Sequence, residues 1–322
     1  VTSDSLVLCL ISGGGSALMV LPASGISLAD KITTTRLLLK SGADIEDVNC
    51  VRKHLSRVKG GQLARYTDGA TLISIIVSDI IGNPIGSIAS GPTAPDPTTF
   101  EDALRILAKH KIDKSIPSSI LDHLKKGAVG AIPETPKPDD PLFARVTNYV
   151  LGDNTIACKA ALQTLQKRKK FRTYYLGSSW HGEARDLGGN FGSLAKTIQR
   201  THTGFEKPSA LVWGGEATVT IKGNGKGGRN QEEALAALNC LKDKSKITLA
   251  FMGTDGIDGF SQAAGAMIDS STYSRATSKA LDPATFLSNN DSNSFFKLAN
   301  DGLIISGPTG TNVNDIGIAI IE

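Results

Sequence analysis

The chain has 322 residues, which is enough for two domains with sizeable cores. A net charge of +4 and only 5% aromatic residues argue against a nucleic-acid-binding protein, which needs a basic face or aromatic platforms. The sequence contains no apolar stretch of membrane-spanning length. Its four separated cysteines match neither a C-x-x-C motif nor a zinc site, so we expect reduced thiols and a cytoplasmic protein, with a mitochondrial form left open.

Apolar runs alternate with helical periodicity along the whole chain. The predicted strands are 6–11, 70–77, 147–151, 172–177, 209–213, 218–222, 247–252, 302–306 and 316–321. The predicted helices are 28–41, 45–60, 100–109, 118–126, 156–168, 182–200 and 232–241. This alternation predicts an α/β fold of two domains, 1–142 and 143–322, each with a mostly parallel sheet sandwiched by helices.

Loops that combine glycine with hydroxyl or carboxylate groups follow five of the apolar runs. They are 12–16, 78–93, 214–216, 253–259 and 307–315. Ligands of open α/β sheets bind beyond the carboxyl ends of the strands. We therefore expect these loops to form one cleft walled by two domains.

The segment 223–228 (GNGKGG) is the strongest candidate for an anion site. Its four glycines leave backbone N–H groups uncovered, a helix is predicted to follow, and Lys226 and Arg229 add positive charge, which favours phosphate. The segment also matches the dinucleotide pattern G-x-G-x-x-G, but Asp255 lies too far along to contact a ribose. A glycine-rich turn without a ligand is the third interpretation.

Other candidate groups are less specific. The segment 12–16 (SGGGS) forms either an anion-binding nest or a tight turn, and the lack of G-x-S-x-G argues against a serine hydrolase. Arg52 and Lys59 lie in a basic run that is either functional or an exposed helix face. Asp79, Asp255 and Asp315 lie in polar loops, where metal ligation, base function and turn capping all remain open.

Several sequence blocks occur together in an order typical of one family. They are 10–18 (LISGGGSAL), 49–61 (NCVRKHLSRVKGG), 78–79 with 88–93 (IASGPT), 214–216 with 223–235, 253–259 (GTDGIDG), 290–296 (NDSNSFF) and 307–315 (GPTGTNVND). With these blocks the chain resembles the class II glycerate kinases, the glycerate 2-kinase family whose C-terminal region is the MOFRL domain. The family usually carries a region before the first block, with a lysine at the site, and we expect this chain to lack it.

The resemblance implies ATP-dependent phosphorylation of glycerate to 2-phosphoglycerate, with Mg²⁺. It implies a Rossmann-like first domain, a MOFRL region over about 207–322, and an active site in the cleft between the domains. The expected partner is a small-molecule substrate, with no nucleic acid and no membrane, and a homodimer is allowed.

The site residues expected from the motifs and the resemblance fall into four groups. The catalytic residues are Arg229, which would stabilise the transferring phosphate, Asp79 and Lys59. The substrate-binding residues are Ser12, Gly13, Gly14, Gly15, Ser16 and Arg52, with Arg52 and Lys59 holding the carboxylate or a phosphate. The nucleotide-binding residues are Gly223, Gly225, Lys226, Gly227, Gly228, Asn230, Glu216, Thr311 and Asn312. The metal ligands are Asp255 and Asp315.

Two alternatives to a kinase remain. One is an NAD(P)H-dependent hydroxypyruvate reductase that uses the G-x-G-x-x-G segment. The other is a non-catalytic anion-binding relative of the kinases.

Overall fold

The structure is a computed structural model that describes residues 1–201, 204–242, 246–300 and 302–322. The chain divides into two compact units, Val1–Leu151 and Gly152–Glu322. The predicted boundary at residue 142 lies just before the strand Val146–Gly152, and this strand pairs within the sheet of the first unit. The predicted domain limits stay predictions. Within the described ranges, no helix combines the length and the apolar character needed to cross a bilayer.

The first unit contains a small sheet and a set of helices. Its strands are β1 (Leu6–Ile11), β2 (Thr71–Val77) and β3 (Val146–Gly152). Its helices are α1 (Gly15–Leu18), α2 (Leu28–Lys40), α3 (Ile45–His54), α4 (Gln62–Arg65), α5 (Phe100–Lys109) and α6 (Ser118–Ala128), with 3₁₀ turns at Ile88–Ser90 and Pro141–Arg145.

Side-chain caps explain where α2, α3 and α5 begin. Ser27 and Asp44 accept hydrogen bonds from the first turns of α2 and α3, and Thr99 forms a reciprocal capping box at the start of α5. The helix predicted over 45–60 ends at His54 instead. The N–H of Arg57 donates to the carbonyl of Leu21 at 2.9 Å, which draws the chain out of the helix and against an earlier segment.

The sheet of the first unit has the order β1-β2-β3. β1 and β2 run parallel, from Leu6 opposite Thr71 to Ile11 opposite Ile76. Parallel strands end at the same edge of a sheet, so the loops after β1 and β2 lie side by side. Helices α2, α3, α5 and α6 share a separate apolar core that includes Leu38, Val51, Leu107 and Leu124.

The second unit is built on a larger sheet. Its strands are β4 (Arg172–Tyr175), β5 (Trp180–Glu183), β6 (Ser209–Thr218), β7 (Ile247–Gly253), β8 (Gly265–Asp269), β9 (Leu303–Ile304) and β10 (Asp315–Ile321). Its helices are α7 (Asn154–Lys167), α8 (Ala184–Arg200), α9 (Arg229–Leu238), α10 (Ser270–Ser278), α11 (Pro283–Ser288) and α12 (Ser292–Ala299), with a 3₁₀ turn at Asn239–Leu241.

The strand order of this sheet is β4-β6-β10-β7-β8-β9, with β5 also beside β6. β4 and β5 run parallel to β6, but β10 is antiparallel to both β6 and β7, and β7, β8 and β9 alternate in direction. The α/β class is therefore confirmed, whereas a mostly parallel second sheet was a wrong prediction. A buried apolar run has the same sequence pattern in either direction, so the pattern does not encode the pairing.

Several element limits in the second unit also differ from the predictions. β6 continues through Gly214 and Gly215 to Thr218, and no separate strand follows it, since residues 219–222 lead without regular structure into the glycine segment. β5 takes the start of the helix predicted from residue 182. β8 and helices α10 to α12 were not predicted; they are only five, nine, six and eight residues long. The core stacks Phe191 on Trp213 with ring centroids 3.9 Å apart.

Candidate active site

The glycine segment 223–228 leads directly into α9. Gly228 is the residue before the helix, in extended conformation, and Arg229 is its first residue. The helix predicted from Glu232 thus starts three positions earlier in the chain, at Arg229. Residues 230–238 of α9 are all buried, so Arg229 is the point where this helix meets solvent.

The backbone amides in the first part of the segment are not free, which corrects one expectation. The N–H groups of Lys222 and Gly223 donate to Oδ1 of Asn290, at 2.7 and 3.1 Å. Those of Gly225 and Lys226 donate to the carbonyl of Asn289 and to Oδ1 of Asp291, at 2.9 and 2.8 Å. In the segment 222–229, the backbone N–H groups of residues 227–229 donate to no described residue, whereas the earlier ones are bonded. A cradle of free N–H groups is therefore shorter than the sequence suggested.

Close packing explains the glycines of this segment. A Cβ on Gly225 would lie 2.6 Å from the carbonyl oxygen of Asn289 and 2.3 Å from Cβ of Asp291. A Cβ on Gly228 would lie 2.4 Å from the backbone carbon of Asp258. These glycines are required at least as much by contact with 258 and 289–291 as by any ligand. The sequence showed the block 290–296 but not this role.

Asp258 caps the start of α9. Its Oδ1 accepts from the N–H of Asn230 at 3.0 Å, and its Oδ2 accepts from the N–H of Gln231 at 2.9 Å. The carboxyl is buried, and burial raises its pKa even though these hydrogen bonds act in the opposite direction. The positive end of α9 is therefore already satisfied by a carboxylate. The glycine-rich block 253–259 was noted in the sequence, but its capping function was not.

Arg229 is held in a fixed orientation by two carboxylates. Its Nε donates to Oδ2 of Asp315 at 2.5 Å and its Nη2 to Oδ1 at 3.1 Å, while Nη1 lies 3.6 Å from Oε1 of Glu216. Burial alone would lower the pKa of Arg229, but the hydrogen bonds and charge of Asp315 outweigh it and raise that pKa. The guanidinium remains charged, with 31% of the side chain exposed.

A second buried acid lies close to this pair. Glu233 on α9 is buried, and burial raises its pKa well above the ordinary range, with the negative charges of Asp315 and Asp258 adding to the effect. The carboxyl is therefore driven towards its neutral form. Helical periodicity gave no reason to single out Glu233.

A cavity of about 570 Å³ opens beside Arg229. Of the predicted nucleotide-binding residues, Glu216, Gly225, Gly227 and Gly228 line it. Gly223, Lys226, Asn230, Thr311 and Asn312 are not part of its wall.

The wall of this cavity also contains two apolar side chains that sequence reasoning did not identify. Phe260 is 93% exposed and Ile221 is 73% exposed. Apolar side chains that remain this accessible beside a cavity are candidates for contact with a ligand.

The loop 307–315 is tied to the loop 253–259 by Thr309. Its N–H donates to the carbonyl of Asp255 at 3.0 Å, and its hydroxyl donates to the carbonyl of Thr254 at 2.6 Å. Asn312 caps its own loop, since its Oδ1 accepts from the N–H of Asn314 at 2.9 Å. Thr311 and Asn312 therefore shape this loop, and their predicted role in nucleotide binding stays a prediction.

The two predicted metal ligands differ in availability. Both oxygens of Asp315 already accept hydrogen bonds from Arg229, and Oδ1 also accepts from Asn230 at 3.0 Å. Asp255 uses Oδ1 to accept from the N–H of Ile257 at 3.0 Å, and no hydrogen bond to Oδ2 is recorded among the described residues. Within those residues, no group of three or more His, Cys, Asp or Glu side chains converges as a metal site.

In the first unit, the loop after β1 packs against Asp79. A Cβ on Gly13 would lie only 2.3 Å from Oδ2 of Asp79, so the backbone approaches the carboxylate closely. Gly14, the residue before α1, has φ of 78°, in the left-handed region that favours glycine. Ser16 shares a short hydrogen bond with the hydroxyl of Ser90. The predicted residues 12–16 and Asp79 are thus brought together, while Gly15 packs against Ala89.

Lys59 and Arg52 line a second cavity, of about 280 Å³, together with Ser16. Lys59 is 1% exposed, and its Nζ donates to the carbonyl of Ser16 at 2.7 Å. Burial, assisted by the charge of Arg52, lowers the pKa of Lys59 to about 8. Burial also lowers the pKa of Arg52. The two basic residues are therefore not an exposed helix face.

Two family models match the chain, "Domain of unknown function (DUF4147)" over residues 1–125 and "MOFRL family" over residues 209–315. A glycerate 2-kinase from Pyrococcus horikoshii is 46% identical over 319 residues, which cover 99% of this chain and 71% of that protein. The chain belongs to the glycerate 2-kinase family.

A solved structure carries the same kinase name, and one relative carries a different one. A crystal structure of glycerate kinase from Thermotoga maritima matches with a TM-score of 0.91 at 40% identity, covering 100% of this chain and 74% of that one. A protein from Agrobacterium vitis, provisionally named a hydroxypyruvate reductase, is 39% identical. The match covers 99% of this chain and 70% of that protein. The resemblance inferred from the sequence blocks is thereby confirmed.

Proposed function

We propose that this chain transfers a phosphoryl group from ATP to the 2-hydroxyl of glycerate, forming 2-phosphoglycerate. The observation that carries the proposal is the charged guanidinium of Arg229, fixed by Asp315 at the wall of a glycine-lined cavity of about 570 Å³. The name glycerate 2-kinase, borne by a relative of 46% identity, supports the same reaction.

The cavity beside Arg229 is our candidate for the nucleotide subsite. Phe260 and Ile221 offer apolar surface to a purine base. The amides of Gly227 and Gly228, with no recorded acceptor among the described residues, are donors for phosphate oxygens at the same wall.

Arg229 would act on the transferring group by charge. Phosphoryl transfer depends mainly on positioning and on stabilising negative charge in the transition state. A guanidinium already oriented by Asp315 needs little reorganisation during the reaction. Nη1, which is 3.6 Å from Oε1 of Glu216, is the nitrogen that would turn to the substrate, because Nε and Nη2 are bonded to Asp315. Its side chain is 31% exposed, so the group remains accessible to a ligand.

For the acid substrate and its product, we assign Arg52 and Lys59 to an anionic group, either the carboxylate or the phosphate, with the loop 12–16 supplying backbone donors. Asp79 is the candidate base for the attacking hydroxyl. Its carboxylate is half-buried and receives no recorded hydrogen bond from any other described residue. A general base must reach the proton that it takes, and a carboxylate without donors is free to make that contact.

Mg²⁺ fits Asp255 better than Asp315. Mg²⁺ in kinases is usually held by one or two carboxylates together with substrate phosphates and water, so a single free oxygen on Asp255 is compatible with it. When bound, the ion would neutralise charge on the nucleotide phosphates. Both oxygens of Asp315 accept hydrogen bonds from Arg229, and Oδ1 also accepts from Asn230. We therefore assign Asp315 to positioning Arg229 and not to binding the metal.

The reductase alternative has one specific observation in its favour, the provisional name of the relative from Agrobacterium vitis. The sheet argues against a dinucleotide site of the usual kind. Such a site needs two adjacent parallel strands joined by a helix, but β10 lies between β6 and β7 and runs antiparallel to both.

The reduced thiols expected from the sequence agree with a cytoplasmic enzyme. That compartment and a homodimer stay predictions.

The test is phosphorus NMR of the chain incubated with ATP, Mg²⁺ and glycerate, compared for wild type, Arg229→Ala and Arg172→Ala. We expect 2-phosphoglycerate from wild type and from R172A, which changes an exposed arginine of the same unit. R229A should lower kcat by about 100- to 1000-fold, the usual effect of losing one charged transition-state donor. Undiminished kcat in R229A would remove the role assigned to this residue.

A thermal-shift comparison separates the three functions. Stabilisation by ATP with Mg²⁺ and turnover of glycerate support the kinase. Stabilisation by NADH alone, with reduction of hydroxypyruvate, supports the reductase. Binding of nucleotide or phosphate without any turnover supports the non-catalytic relative.

A further inference from the structure

Lys31 on α2 is a buried lysine with no partner. Its side chain is 6% exposed, and its Nζ forms no hydrogen bond with any described residue. Helix α2 buries Lys31, Thr34 and Leu38, at spacings of three and four that make one helix face. A lysine at a core-facing position of this kind is rare unless a negative group accompanies it.

The surroundings of Lys31 contain other cations. It lines the cavity of about 280 Å³ that also contains Arg36, Arg52, Lys59 and the serine Ser16. Among the described residues that line this cavity, none is Asp or Glu. The remaining wall is apolar or small, including Leu28, Ile32 and Val20.

This arrangement is unfavourable without a ligand. Burying an ammonium group without a partner costs free energy, and the nearby positive charges add repulsion. Burial, followed by the charges of Lys59 and Arg52, lowers the pKa of Lys31 to about 8. A bound anion would supply both the missing hydrogen-bond acceptor and the missing negative charge.

We propose that Lys31, Arg52 and Lys59 form a binding site for a phosphate group, either free phosphate or a phosphomonoester. Four cations line this small cavity, and all but the exposed Arg36 are buried or half-buried, which matches a dianionic phosphate better than a singly charged carboxylate. The cavity is half the size of the one beside Arg229, which favours a small anion over a nucleotide. The identification of the phosphomonoester as the product of the reaction rests on the proposed function. The binding of free phosphate does not depend on that function.

The test is calorimetric titration of the chain with inorganic phosphate at pH 7 and constant ionic strength, without nucleotide. Wild type should bind, Lys31→Met should lose at least tenfold in affinity, and Lys31→Arg should recover most of it. Lys40→Met is the matched control, because Lys40 is exposed in the last turn of the same helix. Equal affinity in wild type and K31M, or no binding by wild type, would overturn the proposal.

Titrations with 2-phosphoglycerate and glycerate separate the sources of the phosphate. Tighter binding of 2-phosphoglycerate than of inorganic phosphate, with the same dependence on Lys31, identifies the product. Equal or weaker binding identifies a site for free phosphate. Absence of kinase turnover would contradict the proposed function but leave the phosphate titration informative. If K31M proves unstable, protection of wild type and K31R against thermal unfolding by phosphate decides the matter.

Discussion

Arg229 and Asp315 form a bidentate ion pair between residues 86 positions apart, with Nε to Oδ2 at 2.5 Å and Nη2 to Oδ1 at 3.1 Å. Asp315 begins β10, the strand that lies between β6 and β7, and Arg229 begins α9. The pair therefore connects the centre of the second sheet to the end of the glycine segment. A bidentate guanidinium–carboxylate pair restrains the orientation of the guanidinium more than a single hydrogen bond does.

Replacing Asp315 with Asn should reduce catalysis by loosening Arg229. We expect kcat to fall roughly tenfold or more with a smaller change in KM, because orientation is lost in the transition state. Steady-state kinetics with glycerate and ATP measure the split. Asp282→Asn is the control, since Asp282 is an exposed cap of α11 and Asn also caps helices well. Unchanged kcat in D315N would show that the ion pair has no positioning role.

The buried charge of Lys31 should make stability depend on pH. The pKa of Lys31 is lowered from 10.5 to about 8 in the folded protein, so its cost is fully present below pH 8 and fades as pH rises towards 10.5. The stability advantage of K31M over wild type should therefore shrink by roughly 3 kcal/mol or less between pH 7 and pH 10.5.

Urea unfolding of wild type and K31M at both pH values, in buffers without phosphate, gives this difference directly. K40M should follow wild type at each pH, because Lys40 is exposed. A K31M advantage that stays constant with pH would mean that Lys31 is not buried as a charged group.

Gly225 should tolerate no side chain. In Gly225→Ala the new Cβ would contact the backbone of Asn289 and Asp291 at 2.6 Å, so the segment must move at a cost of about 1–3 kcal/mol. ATP binding should weaken in parallel, because Gly225 lines the cavity. Urea unfolding and nucleotide titration measure the two effects.

The control for this prediction is Gly189→Ala in α8, where an added Cβ meets nothing within 4 Å. That variant should be neutral or up to about 1 kcal/mol more stable, because alanine favours helix. If G225A and G189A were equally stable, the close packing of the segment against 289–291 would be refuted.

Phe260→Ala should weaken ATP binding without affecting stability. Stacking of a base on an aromatic ring contributes about 1–3 kcal/mol, so we expect the Kd for ATP to rise about tenfold. Phe260 is 93% exposed and therefore adds little to the fold. Calorimetry with ATP and thermal unfolding check both parts. Leu298→Ala, another exposed apolar residue of the same unit, should change neither, and unaltered ATP affinity in F260A would place the base elsewhere.

Much of the fold could be predicted because its elements are locally encoded. β1 and α5 match their predicted limits, since a short apolar run and a capped amphipathic stretch are both visible within about ten residues. α10 to α12 were missed because they are only nine, six and eight residues long, and their burial depends on the rest of the second unit.

The candidate site was predictable in its location but not in its contacts. The glycine segment, Arg229, Arg52 and Lys59 were visible as motifs. The hydrogen bonds from the N–H groups of this segment to Asn289, Asn290 and Asp291 could not be predicted, because those residues follow the segment by more than sixty positions. Lys31 was overlooked because a lysine in an amphipathic helix is normally taken as solvent-exposed.

The sequence by itself determined the family, the α/β class and the position of most of the strands, because these depend on local patterns and on motif order. Only the tertiary structure decided that β10 runs antiparallel between β6 and β7 and thereby places Asp315 against Arg229. It also decided that Asp258 caps α9 and that Lys31 faces Arg52 and Lys59. Pairing direction, burial and hydrogen-bond partners arise from contacts between distant segments, which local sequence patterns do not encode.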